Sequence, residues 1–251
     1  RKAGIGIFVI VLIITAVRIK SMDSHRISGR ILAENIAGPG MMRLVEQSMQ
    51  AQAQKTSVTE IAVKERKHPQ AALTFDDGPD IRYTPLLLDG LKERNVRASF
   101  FLLGEKVEQY PELVERMQKE GHLVGNHTYH HVQLNKLNET KAREEILKTN
   151  NLIYETTGVY PLYLRPPFGA WKKNLELCVE MLPVFWTIDT LDWKVQNTEK
   201  IVRTVQEQIE DGAIILMHDE YDTSVEAALQ VVDELKNQGY ELVTVDQLIL
   251  P

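Results

Sequence analysis

An α/β fold whose parallel sheet curls into a barrel is what the sequence predicts, on three observations. From Ala71 onward, short apolar runs alternate with helical stretches over about 180 residues, the pattern of parallel strands joined by crossover helices. Seven such runs are too many for a small sheet and suit a barrel. Five of the runs lead into ionisable or imidazole side chains, which in a barrel of this kind gather at the C-terminal strand ends.

The elements follow in order. The apolar run AALTF at 71–75 is the first strand, and 85–94 the helix after it. The run ASFFLL at 98–103 and a helix at 111–120 form the second unit. A short run at 123–124 precedes a long helix at 139–156, whose acidic residues read as a solvated face. The second half gives a strand at 163–164, a helix at 175–181, a strand at 184–187, a helix at 199–210, a strand at 213–217, a helix at 225–238 and a last strand at 241–245. Cys178 falls on an apolar position of the 175–181 helix and is expected in the core.

Composition sets the outer limits. The 251 residues are 43% hydrophobic and 25% charged, ordinary globular usage, with length for one large α/β domain or two small ones. A single cysteine excludes an intramolecular disulfide framework and a cysteine-rich zinc finger. A net charge of −6 and a pI near 5.7 argue against a nucleic-acid-binding surface.

The first twenty residues are unlike the rest. AGIGIFVIVLIITAV at 3–17 is uninterrupted apolar sequence, preceded by Arg1 and Lys2 and followed by Arg18 and Lys20, with no acid among them. It is short against the roughly 20 residues of a typical span, but Ile19 and snorkelling basic ends make a span feasible. We expect an uncleaved membrane anchor over 1–20. The alternatives are a cleaved signal, for which no A-x-A pattern is present, and a core segment. Flanking charge does not orient it, because Arg18, Lys20, Arg26 and Arg30 outnumber Arg1 and Lys2. Residues 21–65 read as a stalk punctuated by Gly38-Pro39-Gly40. Within it Met41, Met42, Leu44, Val45 and Met49 are spaced as a short amphipathic helix. Residues 66–251 are the expected globular domain.

Each strand-end motif has an ordinary reading and a chemical one. Asp76-Asp77-Gly78-Pro79 can be a turn with a capping Asp, or two carboxylates pointing apart, one to a metal and one acting as a base. His127 and His131, four residues apart, can be surface histidines or two imidazoles on one face. With a carboxylate they would suit a catalytic zinc site or a non-haem iron triad. His130 lies between them and could replace His131 as a ligand, while the His-Glu-x-x-His pattern is absent. Arg165-Pro166-Pro167-Phe168-Gly169 is either a plain strand exit or a stiff carrier for Arg165 and the Phe168 amide. Asp192-Trp193 and Leu216-Met217-His218 are weak signals taken singly.

Together and in order, these segments resemble the polysaccharide deacetylase family with the NodB-like domain, carbohydrate esterase family 4. The matches are TFDDGP at 74–79, HTxxH at 127–131, RPPF at 165–168, DxxDW at 189–193 and LxH at 216–218, within a stretch of about 180 residues from Ala71. The resemblance implies a distorted (β/α)7 barrel. It implies that Asp77, His127 and His131 bind a divalent metal, zinc first, with cobalt or nickel as alternatives. It implies Asp76 as general base oriented by Arg165, and His218 as general acid held by Asp192. Trp193 and Leu216 would form a slot for the acetyl methyl, and the Phe168 amide would hold the oxyanion. Phe168 stands where many members carry Tyr. In the branch acting on N-acetylmuramic acid the second Asp of the pair is typically altered; Asp77 is therefore expected to mean N-acetylglucosamine.

The expected activity is N-deacetylation of N-acetylglucosamine in peptidoglycan. The other enzymatic readings are a deacetylase of chitooligosaccharides or poly-N-acetylglucosamine and an O-acetyl polysaccharide esterase. The non-enzymatic reading is a wall glycan-binding protein. Arg165 beside Asp76 should lower that carboxyl's pKa, and Asp192 should raise that of His218. The expected partners are the wall glycan and, through the N-terminal segment, a membrane, with the domain outside the cell or secreted. No nucleic acid or protein partner is expected.

Overall fold

The computed structural model describes residues 67–171 and 181–249, all within one compact unit that runs from Glu65 to Pro251. The expected anchor, the stalk, Cys178 and nearly all of the 175–181 helix lie outside the described residues.

Eight parallel strands build one sheet. Its path is β5 (Leu182–Pro183), β4 (Tyr163–Leu164), β3 (Leu123–Asn126), β2 (Ser99–Leu102), β1 (Gln70–Asp76), β7 (Ala213–His218) and β6 (Ile188–Asp189); β8 (Glu241–Leu242) pairs with the start of β1. The order confirms a parallel α/β architecture, with eight strands in place of the seven of the expected distorted (β/α)7 barrel. It is a half-barrel: β5 and β6 are the two ends of the path, with no pairing between them among the described residues. The expected strand at 184–187 is instead the stretch that crosses this gap. Val184 N–H donates to Leu164 O at 2.8 Å, and Thr187 N–H donates to Ile214 O at 2.9 Å, so within three residues the chain leaves one edge and joins the other. The four residues from 184 to 187 belong to neither strand, and β5 and β6 lie on either side of the crossing. The expected last strand is also shorter, because Val245 already begins a helix.

β1 shows how the sequence places the site. Residues 71–76 are all buried, as in a strand covered on both faces. Side chains alternate across the strand. Ala71, Leu73 and Phe75 join the outer core shared with the helices, whereas Ala72 joins the inner cluster with Phe101, Tyr163, Val184 and Val245. Asp76, even-numbered like Ala72 and Thr74, therefore turns toward the barrel interior at the strand's end.

The helices cover the outside. In α1 (Tyr83–Glu93), Thr84, Leu87, Leu88 and Leu91 bury one face at helical spacing. After α2 (Gly104–Gln109), α3 (Pro111–Lys119) starts on a proline, which suits a first turn that has no N–H partner. In α4 (Glu139–Thr157), Asn138 Oδ1 caps the N-terminus by accepting from Lys141 N–H at 2.9 Å, and Gly158 ends the helix at φ 71°. The short α5 (Asp192–Val195) follows β6. Then α6 (Thr198–Gln208) and α7 (Asp222–Asn237) pack on each other, with Ile201, Val205, Val225, Ala228 and Val232 in the outer core, and α8 (Val245–Ile249) closes the chain. Register brings Asp76 opposite His218 on β7 and opposite Phe101 on β2, and Asp189 opposite Leu216. The C-terminal strand ends share one rim. Among the described residues no helix is long and apolar enough to cross a membrane.

Candidate functional site

The rim encloses a cleft of about 370 Å³ lined by Asp76, Asp77, His127, His131, Phe168, Trp193, Leu216 and His218. Eight of the ten expected site residues thus meet at one place. The other two, Arg165 and Asp192, are fully buried behind it. Trp186, Asp189, Leu191, Glu220 and Tyr221 complete the wall. Trp186 reads in sequence as one more apolar strand residue. Glu220 and Tyr221 directly follow the LxH motif and its Asp219, and that adjacency is the one signal that could have flagged them.

Asp77 is the point of convergence. It sits just past β1 in a left-handed conformation, φ 70°, so its carboxylate diverges from that of Asp76. Its Oδ1 lies 3.4 Å from His127 Nε2 and 3.4 Å from His131 Nε2. One donor atom from each residue fits within 4.8 Å. His130 points elsewhere, its Nδ1 lying 2.8 Å from Glu145 Oε1. That removes the alternative left open at His131.

A cation fits this triad on three counts. Donors about 2.0–2.1 Å from a tetrahedral zinc lie about 3.4 Å apart. His127 Nδ1 is 2.6 Å from Arg165 O, and a carbonyl only accepts, so Nδ1 carries the proton and Nε2 presents a lone pair. That lone pair faces the buried Asp77 Oδ1, which has no hydrogen-bond partner. Two acceptors facing each other are repulsive unless a positive charge lies between them. Burial also pushes the His127 pKa down to about 3, keeping it in the neutral form that binds metals.

Two ion pairs flank the triad. On one side Arg165 Nη1 donates to Asp76 Oδ1 at 2.8 Å and to Thr74 Oγ1 at 2.6 Å, with its guanidinium over the Phe101 ring. Burial raises the Asp76 pKa; Arg165 opposes this and does not overcome it, contrary to the expectation from sequence. The reason is depth. Asp76 is almost wholly excluded from water, and one guanidinium does not replace its hydration. On the other side Asp192 holds His218 twice, accepting from His218 N–H at 2.8 Å and meeting Nδ1 at 2.8 Å. Burial alone would lower the His218 pKa. The Asp192 hydrogen bond and charge, with Asp76 and Asp77 nearby, raise it to about 9.

Strain concentrates here too. Asp77, Thr128, His131, Phe168 and Leu191 are non-glycine residues at φ between 50° and 70°, and each lies in the cleft wall or the loop carrying His131. Such conformations cost of order 1–3 kcal/mol each and persist where the surroundings over-determine them. Phe168 is held between Pro167 and Gly169, its ring 4.5 Å from that of His131.

Known proteins resemble this chain in sequence and in fold. Residues 63–184 match the family model described as polysaccharide deacetylase. A peptidoglycan-N-acetylglucosamine deacetylase of Bacillus cereus is 40% identical over 186 residues, which are 71% of this chain and 68% of that one. This chain belongs to the polysaccharide deacetylase family. A second member, the peptidoglycan-N-acetylglucosamine deacetylase PgdA of Listeria monocytogenes, is 42% identical over 185 residues, 74% of this chain and 40% of that one. The chain thus spans well under half the length of that larger relative. The solved structure of peptidoglycan deacetylase PdaC from Bacillus subtilis superposes with a TM-score of 0.71 at 42% identity, covering 73% of this chain and 91% of that one. In the sequence comparison PdaC is named a peptidoglycan-N-acetylmuramic acid deacetylase and is 44% identical over 177 residues, 70% of this chain and 38% of that protein.

Proposed function

We propose that this chain is a divalent-metal-dependent N-deacetylase that removes acetate from N-acetylglucosamine residues of peptidoglycan. The observation that carries the reading is the Asp77–His127–His131 triad, with its unpartnered buried Oδ1, set between an Arg165-braced carboxylate and an Asp192-held imidazole. The names of the relatives support peptidoglycan as the substrate.

The chain's own residues divide the work. A divalent cation held by Asp77, His127 and His131 would supply Lewis acidity toward the acetyl carbonyl and bring the pKa of a water toward 7. Asp76 Oδ2, 3.7 Å from His127 Nε2, is placed to take the attacking water's proton, with Arg165 fixing its other oxygen. His218 Nε2 faces the triad from the adjacent strand β7, 3.8 Å from Asp77 Oδ2. With Nδ1 tied to Asp192 and a pKa near 9, it is protonated at neutral pH and can give Nε2–H to the departing amine. Leu216, nearly buried, and Trp193, half exposed, form an apolar wall for the acetyl methyl. Phe168 borders the carbonyl side, where its amide would hold the oxyanion. The product glycan gains a protonatable amine.

The apolar segment 3–17 would tether the domain to the outer face of a membrane, within reach of the wall; a cleaved segment would release it. PdaC, named for N-acetylmuramic acid, motivates the other sugar as a second reading. One experiment separates them. The full chain loaded with zinc is incubated with purified wall, and the muropeptides are analysed by mass spectrometry. Loss of 42 mass units on glucosamine with acetate release is the expected result. Loss on muramic acid selects the second reading, and no loss with either sugar sinks the proposal. Asp76→Asn should abolish acetate release and His218→Ala should largely abolish it.

A further inference from the structure

Glu145, outside every motif, takes three hydrogen bonds from the loop that leads to His131; the Gly104 and Glu105 amides also donate to that loop, to Thr128 O and Tyr129 O. Glu145 lies on α4, where the sequence suggests a solvated acidic face, yet its side chain is only 16% exposed. Glu145 Oε2 accepts from Tyr129 N–H at 3.0 Å and from His130 N–H at 2.9 Å, and Oε1 meets His130 Nδ1 at 2.8 Å. Three hydrogen bonds from one carboxylate therefore fall on the residues between the two histidine ligands.

The two ligands differ in what holds them. His127 is fixed by the sheet: its N–H donates to Leu102 O at 2.9 Å and its Nδ1–H to Arg165 O. Among the described residues His131 makes no such hydrogen bond to the sheet. It is reached through a loop with two non-glycine residues in the left-handed region, Thr128 at φ 67° and His131 at φ 55°. Left-handed backbone is sterically unfavourable for a residue with a Cβ, so an unrestrained loop would relax and carry His131 away from Asp77. Asn126 holds the loop's start, accepting from Thr128 N–H at 2.7 Å while its Nδ2 donates to Ile146 O on α4. Glu145 holds the middle.

We infer that Glu145 is a positioning residue that keeps His131 at the metal, acting through the Tyr129 and His130 amides. The inference rests on the metal reading of the triad. The test is zinc affinity of the full chain, measured by competition with a chromophoric chelator, together with the absorption spectrum of the cobalt-loaded form. Glu145→Ala is expected to weaken zinc binding about 10–100-fold, the usual loss on removing an outer support of a ligand. Glu145→Gln keeps a carbonyl oxygen for both amides and should recover most of the affinity and the native cobalt spectrum. The exposed neighbour Glu144→Ala should match wild type. In a His131→Ala background, Glu145→Ala should cost nothing further. Wild-type zinc affinity in Glu145→Ala overturns the inference, as does an equal loss in Glu145→Gln or an undiminished loss without His131. If Glu145→Ala does not fold, Glu145→Asp, one methylene shorter, is read in the same way. A wild-type chain that binds no zinc overturns the metal reading, and this inference with it.

Discussion

At His218 and Asp76 two residues are tuned against their ordinary chemistry. Burial works against the charged form of both, and only at His218 does a partner carboxylate win. The proposed acid must be protonated, so activity should fall as pH rises through about 9. Removing the main raising influence with Asp192→Asn should move that basic limb down toward the ordinary imidazole value of about 6.5. A pH–rate profile of the two proteins measures it, and an unmoved limb would contradict the assignment of His218. The proposed base must be ionised, so activity should fall on acidification through a pH above the ordinary carboxylate value of 3.8, since burial raises Asp76. All ten candidate site residues were readable as candidates, because each belongs to a motif, and eight of them line one cleft. The balance at Asp76 was not readable, since it depends on how completely water is excluded.

Between residues and fold stand the loops that leave the strands. Gly78, between Asp77 and Pro79, shows how tightly one is packed: an added Cβ would lie 2.5 Å from Asp219 Oδ1. Asp219 accepts from Thr84 Oγ–H, and that oxygen accepts from Asp80 N–H at 2.7 Å, so the end of β7 clasps the Asp77 loop. Gly78→Ala should destabilise the chain by about 1–3 kcal/mol through overpacking, read as a lower urea midpoint with unchanged slope. It should also reduce acetate release, because the clasp sits one residue from Asp77. Wild-type stability and activity together would refute that account. The longer elements were legible: β1 and β7 carry continuous apolar runs, and α1, α6 and α7 keep helical spacing. The two-residue strands β5 and β6 were not. Their pairing is decided by which edge each segment meets, and the run Val184-Phe185-Trp186-Thr187 between them is equally compatible with one strand.

Seen whole, the molecule would hold its proposed metal with side chains from two loops that are about fifty residues apart in sequence and leave β1 and β3, strands separated by β2. Binding that ion should therefore stabilise the entire unit. Free zinc at about a hundred times its dissociation constant adds about 2.7 kcal/mol, worth roughly 2–4 °C of melting temperature per kcal/mol in a domain of this size. His127→Ala should abolish the shift, and thermal denaturation with and without zinc checks both. Five short motifs in a fixed order, on a strand–helix alternation, were enough to determine the family, the parallel architecture and which residues meet. That information is local: it lies in residue types and spacings that a strand end or turn imposes by itself. The tertiary structure decided what depends on distant partners. It placed β5 and β6 at the two ends of the sheet path, selected His131 over His130, kept Asp76 dry enough for burial to outweigh Arg165, and set Glu145 beneath the ligand loop. Each of these is a competition between contacts made across the fold, and none of those contacts is written in the spacing of the residues that compete.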